Sequence, residues 1–407
     1  MTISEKIIRK RVDVEGLRAG PVTIDAVPLF YEEYKTSPSA SKTAVIFPFF
    51  LGSAHAAGQE VVDESGKKID ARPGYWDHLI GPGAAIDTNV YRVISFEPVV
   101  NDRFNPALCR PGSTERYASN FPVYTIADYV ELYRRALNVL GVSHAHLLAG
   151  ASMGSIQAIQ MALTHPQSFD KLLVMVPGTF FLGEKTTALV AGWVKELEAD
   201  PAWNGGNYAP DKPPKTALRK VLTEFWFRAI YPESSLLAWN ADDAKAYNQA
   251  MDEMLLGSDD EVPLKRMFEE HLQYLKEKVA TPKELLEAEV GKFRTYVKSV
   301  ESLIKITDHN VLLWQLRSLL GSTLCSFRGK SMLAMLARGD DLLPAHELAS
   351  LEGLFKARGG QAVIVEPFTE ITHNAGLRLA SPKDPSALGA ESHVREYLKA
   401  IPGPAKL

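Results

Sequence analysis

Apolar and polar positions alternate through residues 1–35: Val12 and Val14, then Val22, Ile24, Val27, Leu29 and Tyr31. A period of two marks a half-buried strand, and the Gly20-Pro21 break between the runs predicts an opening antiparallel hairpin. Residues 43–51 (TAVIFPFFL) are apolar without alternation, which suits a strand covered on both faces, as in a parallel sheet. Residues 90–96 (VYRVISF) predict a further strand. The period then changes. Ile126, Tyr129, Val130, Tyr133, Leu137 and Leu140 are spaced for a helix over 125–140, with Asp128 near its first turn, where the helix dipole favours a negative charge.

After Gly141 the alternation of elements repeats. A strand is predicted at 146–149, a Gly-rich turn follows, then a helix from about Met153 to His165, and a buried strand at 172–176 (LLVMV). Strand–helix–strand order implies a parallel sheet with right-handed crossovers. Residues 186–325 are mostly helical in pattern and rich in charge, interrupted by a Pro/Gly loop at 203–214. Strand-like runs return at 331–337 and 362–365, and a last helix is predicted at 391–401. The expected organisation is an α/β core in two pieces, 1–178 and 329–407, with a helical cap inserted at 179–328.

Composition narrows the function classes. The chain has 407 residues, with 45 Lys and Arg against 49 Asp and Glu, a net charge of −4. That balance lacks the basic excess of a nucleic-acid binder. Two cysteines, Cys109 and Cys325, provide neither a disulfide framework nor a four-thiolate zinc site. No apolar run approaches the roughly 18 residues of a membrane span. The opening MTISEKIIRKRVDVEG has no apolar stretch of the kind a secretory signal needs, so a cytoplasmic protein is expected. His144-Ala145-His146 has no third ligand nearby, and no metal is expected.

The chemistry-bearing motif is Gly150-Ala151-Ser152-Met153-Gly154, which fits G-x-S-x-G. There a strained strand-to-helix turn lifts a serine above the sheet, and the helix N-terminus beyond it favours a developing oxyanion. A strand–helix turn with an ordinary serine cap would look similar. The surrounding strand and helix, and the partners downstream, make Ser152 the candidate nucleophile. In this arrangement the acid and then the histidine follow the serine in chain order. Asp340 and Asp341 follow the 331–337 strand through Gly339, with Asp340 the first choice for the acid and Asp341 its close rival. Of ten histidines, His373 lies in the loop after the 362–365 strand, where the base is expected. The backbone N–H groups of Met153 and Phe50 are the expected oxyanion donors.

These segments resemble the homoserine O-acetyltransferase group of α/β-hydrolases. The resemblance rests on residues 51–58 (LGSAHAAG), 74–88 (GYWDHLIGPGAAIDT), 121–126 (FPVYTI), 150–154 (GASMG) and 200–208 (DPAWNGGNY), which occur in the family's order. It implies an α/β-hydrolase fold with a helical cap, a Ser–Asp–His triad, and often a homodimer formed through the cap helices. Several positions depart from the family. Phe47-Pro48-Phe49-Phe50 stands where a histidine-containing loop is usual, Ala151 replaces a glycine, and residues 97–102 (EPVVND) replace a Gly-rich segment. Asn374 follows the candidate base where the family usually has Asp. A neutral amide gives a substrate ammonium no ion pair.

The expectation is therefore a serine-dependent acyl-transfer enzyme, most readily an ester hydrolase whose pocket includes Phe49 and Asn374. The cap aromatics Trp193, Phe225, Trp226 and Phe227 would help line it. The alternative is an O-acetyltransferase that takes acetyl-CoA as co-substrate and acts on a small alcohol. No other cofactor is expected. The partners expected are a small-molecule ester or acyl donor, with no nucleic acid and no membrane. A non-catalytic scaffold on this fold would usually have lost a triad member.

Overall fold

The computed structural model describes residues 6–17, 23–176, 184–209, 212–230, 273, 277, 300, 302–320, 331–335, 361–365 and 385–399. The opening hairpin forms as expected. Strands β1 (Lys6–Glu15) and β2 (Ala26–Tyr34) pair antiparallel with Val12 opposite Leu29 and Val14 opposite Val27. Next come β3 (Lys42–Phe47), β4 (Glu60–Asp63), β5 (Lys68–Asp70), β6 (Ile80–Gly81), β7 (Ile86–Asp87) and β8 (Tyr91–Phe96). The short strands β4–β7 have too few residues each to show a period, and the sequence pattern does not reveal them. Helix α1 (Ile126–Val139), β9 (Ala145–Ala151), α2 (Met153–Thr164) and β10 (Phe169–Met175) complete the first part of the sheet.

Within the inserted segment the described helices are α3 (Glu184–Ala199), α4 (Thr216–Ile230) and α5 (His309–Leu320). The sheet resumes with β11 (Ser331–Met335) and β12 (Gln361–Val365), and α6 (Pro385–Lys399) follows, starting six residues earlier than its apolar pattern suggests. The expected boundaries at 178 and 328 fall outside the described residues.

Ten strands lie in the order β12-β11-β10-β9-β3-β8-β2-β1-β4-β5. The six from β12 to β8 are parallel to one another, and β2 joins β8 antiparallel. Both faces of the parallel part are covered, so its strands are apolar on both sides. In β3, Val45 and Phe47 pack with α1, α2 and the inserted helices, while Ala44 and Ile46 pack on the other face with Trp76 and α6. That double burial explains the unbroken apolar run in residues 43–47. Residues 48–51 leave the strand and turn over its end.

Helix α1 starts where its sequence dictates. The Thr125 hydroxyl accepts the Asp128 N–H at 3.2 Å and the Asp128 carboxylate accepts the Thr125 N–H at 2.8 Å, a reciprocal capping box. At the opposite face, Lys171 in β10 donates to the carbonyls of Tyr397 and Leu398, which pins the end of α6 to the sheet.

Candidate active site

Ser152 stands between β9 and α2 with φ 51° and ψ −124°. A residue with a Cβ reaches that region only under strain, and the neighbours impose it. A Cβ on Gly150 would lie 2.2 Å from the Gly154 carbonyl oxygen, and one on Gly154 would lie 2.4 Å from that of Phe47. Both glycines are therefore required by the closeness of backbone to backbone. The Ser152 N–H donates to Met175 at the end of β10 at 3.1 Å. The buried Ser155 hydroxyl lies 2.9 Å from the Gly150 carbonyl and 3.0 Å from that of Met175, closing the turn from beneath.

The loop after β3 is fastened to the same turn. Gln157, buried in α2, donates to the Pro48 carbonyl at 3.0 Å. Gly52 N–H bonds back to the Phe49 carbonyl at 2.9 Å, and Leu51 between them has φ 54°. This brings the Phe50 segment beside the start of α2. Met153 opens that helix, so its N–H has no carbonyl one turn earlier to bond. Phe50 and Met153 are both buried. The Phe50 ring meets Phe225 of α4 edge-on at 5.0 Å, and Phe225 meets Trp193 of α3 at 5.8 Å. Trp193 Nε1 donates to Glu224 at 2.6 Å, which fixes this aromatic wall. Phe49 turns the other way and packs on Tyr75 at 5.0 Å. The side chains of Trp226 and Phe227 lie outside the described residues.

Asp340, Asp341, His373 and Asn374 also lie outside the described residues. The strands that precede them, β11 and β12, run parallel to β9 and β10 in the same sheet. Their C-terminal ends thus reach the edge at which Ser152 sits. Among the described residues no group of three or more metal-ligating side chains occurs. His146 accepts the Thr43 N–H at 3.0 Å and His144 lies 2.9 Å from Asp170, so this pair ties β3 and β10 to β9.

Two features of the structure carry no motif in the sequence. A buried ionic cluster joins β1, β2, the 51–58 loop and the end of β8. Arg9 pairs with Glu32 and with Glu97, and His55 lies 3.0 Å from Glu32 and 2.8 Å from the Arg72 carbonyl. Tyr34 donates to Glu32 at 2.6 Å. Burial alone would raise the Glu32 carboxyl, but the hydrogen bond from His55 and the charge of Arg9 outweigh it and hold Glu32 below the usual carboxylate range. The second feature is Gln315, a buried amide in the largely apolar helix α5, whose side chain reaches Leu51.

The family model for the alpha/beta hydrolase fold matches residues 75–221, the stretch that carries β9, Ser152 and α2. The structure of a homoserine O-acetyltransferase from Bacillus anthracis superposes with a TM-score of 0.71 at 22% identity, covering 97% of this chain and 98% of that one. The chain has the α/β-hydrolase fold. The esterase E22 shares it at a TM-score of 0.70 and 23% identity, over 97% of this chain and all of that one. In sequence, this chain is 34% identical to the homoserine O-acetyltransferase of Methanocorpusculum labreanum over 199 residues, 48% of this chain and 39% of that relative. The resemblance read from the motifs is thus borne out. The matched stretch spans less than half the length of that relative.

Among the described residues no helix is long and apolar enough to cross a membrane.

Proposed function

We propose that this α/β-hydrolase transfers an acyl group through a covalent acyl-Ser152 intermediate, and that the acceptor is a small alcohol rather than water. The observation that carries the first half is the strained φ of Ser152, held at a helix N-terminus by two glycines that no other residue could replace without clash. The second half draws on the relative's name, homoserine O-acetyltransferase, and takes acetyl-CoA or a similar acyl thioester as donor. Ester hydrolysis, the first expectation from the sequence, has the weaker support. It rests on the Phe47-Pro48-Phe49-Phe50 loop and on Asn374.

In the proposed reaction His373 removes the Ser152 proton as Oγ attacks the acyl carbon, while Asp340 keeps the imidazole in the right tautomer. The carbonyl oxygen becomes an oxyanion held by the N–H groups of Met153 and Phe50. Collapse breaks the bond to the leaving thiolate or alkoxide, which takes the proton from His373. The acceptor hydroxyl then loses its proton to His373, attacks the acyl-serine and releases Ser152. Water can replace that hydroxyl in the last step, which is why one site serves both reactions.

The test is direct. Acetyl-CoA and p-nitrophenyl acetate are supplied separately, each with and without homoserine and other small alcohols, and thiol release and ester cleavage are followed. The proposal expects thiol release from acetyl-CoA to rise with an alcohol present, and Asn374→Asp to favour an ammonium-bearing acceptor by roughly tenfold or more. Ester cleavage that no alcohol accelerates, with acetyl-CoA left intact, would return the hydrolase reading.

A further inference from the structure

Helix α5 reads HNVLLWQLRSLL, and ten of its twelve residues are buried. A carboxamide in such a helix must spend its hydrogen bonds inside the protein. Gln315, 2% exposed, does so on two loops at once. Its Oε1 accepts the Leu51 N–H at 2.9 Å, and its Nε2 donates to the Val100 carbonyl at 2.9 Å. Leu51 follows Phe50 after β3, and Val100 lies in the loop after β8, the strand beside β3. One amide therefore clamps the ends of two neighbouring strands from above.

The helix that carries it is held by further hydrogen bonds besides these two. Trp314 Nε1 donates to the Phe121 carbonyl at 3.2 Å, Ser318 donates to Tyr129 at 3.1 Å, and Asn310 accepts from Trp203 at 2.9 Å. The clamped residue is also the strained one, since Leu51 is a branched residue at φ 54°. Without a partner for its N–H, the Phe50–Leu51 peptide would turn to a relaxed conformation and carry the adjacent Phe50 N–H with it.

We infer that Gln315 is a positioning residue for acyl transfer: it fixes the Phe50–Leu51 backbone so that the Phe50 N–H stays aimed at the oxyanion formed on Ser152. This rests on the acyl-transfer reading above. The amide is suited to the task because it offers one acceptor and one donor, which the Leu51 N–H and the Val100 carbonyl respectively require. A small displacement of an oxyanion donor is costly, because the donor acts only at the geometry of the transition state.

Two variants test it. Gln315→Met fills the same space and makes neither bond. In it, amide hydrogen exchange at Leu51 should quicken at least about tenfold while the core amides of α2 stay protected. The kcat should fall about 10- to 100-fold, with KM changed less than about threefold. Gln315→Glu makes both bonds when its carboxyl is protonated and loses the Val100 bond when ionised. Its carboxyl accepts the Leu51 N–H in either state, so this variant should recover most of the kcat that Gln315→Met loses, a rescue that filling the same space alone does not produce. Unchanged Leu51 exchange in a folded Gln315→Met protein overturns the proposal. So does equal trapping of acyl-Ser152 in the two proteins. If no acyl-Ser152 adduct forms even in the unaltered protein, the acyl-transfer reading falls first and takes this role with it.

Discussion

The two sides of β3 reach order by opposite means. Toward β9 the sheet is parallel and mostly apolar on both faces, and among the described residues its buried charge is Lys171, whose ammonium is spent on carbonyls at the end of α6. Toward β2 and β1 it is antiparallel, and its interior holds Arg9, Glu32, Glu97 and His55 in mutual contact. In the first region position comes from steric exclusion, since Gly150 and Gly154 leave the backbone no alternative path. In the second it comes from charges that must find one another once water is gone. The contrast teaches where chemistry and where stability should reside. A strained turn costs stability at the place of the proposed nucleophile, whereas a paired cluster fixes a loop.

The largest expected separation is in catalysis. Ser152→Ala should lower turnover by roughly 10⁴–10⁶-fold while the melting temperature stays near that of the unaltered protein. Asp340→Asn should cost about 10⁴-fold and Asp341→Asn far less, because only the orienting acid holds the His373 tautomer. Full activity in a folded Ser152→Ala protein would remove the elbow's chemical role. Equal losses at 340 and 341 would put the acid out of register.

On the other side of β3 the expected effect is on stability. Glu32→Gln removes the anion shared by Arg9, His55 and Tyr34, and should cost about 3–5 kcal/mol, as losing one partner of a buried ion pair does. Urea unfolding followed by tryptophan fluorescence measures it. The sign of the pH dependence follows from the lowered carboxyl. Glu32 stabilises the fold fully above the ordinary carboxylate range, and that contribution fades as pH falls through its lowered native value. The variant should therefore lose less stability between neutral and acid pH than the unaltered protein does. A parallel acid response in the two would show that Glu32 is not the group that titrates.

The same divide decides what was legible in the sequence. Strands β3, β9 and β10 and helices α1 and α2 were readable because double burial leaves long apolar runs and amphipathic burial leaves a period. Ser152 was readable because the elbow needs two glycines at fixed spacing. The cluster of Arg9, Glu32, His55 and Glu97 was not, since its members are scattered over nearly ninety residues and each alone reads as a solvated charge. Gln315 was equally silent, because an amide in a largely apolar helix does not announce which backbone atoms it meets. The short strands β6 and β7 lie within a segment recognised by its motif rather than by its pattern, and β4 and β5 fall between two such segments.

The smallest expected effect tests the strain itself. Ser152→Ala keeps a Cβ at φ 51°, whereas Ser152→Gly removes it, so comparing these two inactive variants cancels the loss of the hydroxyl. Relief of a left-handed non-glycine residue is worth about 1–3 kcal/mol. Glycine's extra freedom in the unfolded chain offsets about 0.5–1 kcal/mol of that. The glycine variant should therefore unfold at a higher urea concentration than the alanine variant, by a net of about 1 kcal/mol. At an unstrained position the order would be reversed. Alanine proving the more stable at 152 would mean that the turn accommodates a side chain at no cost, and the elbow would lose its place as the strained element of the comparison.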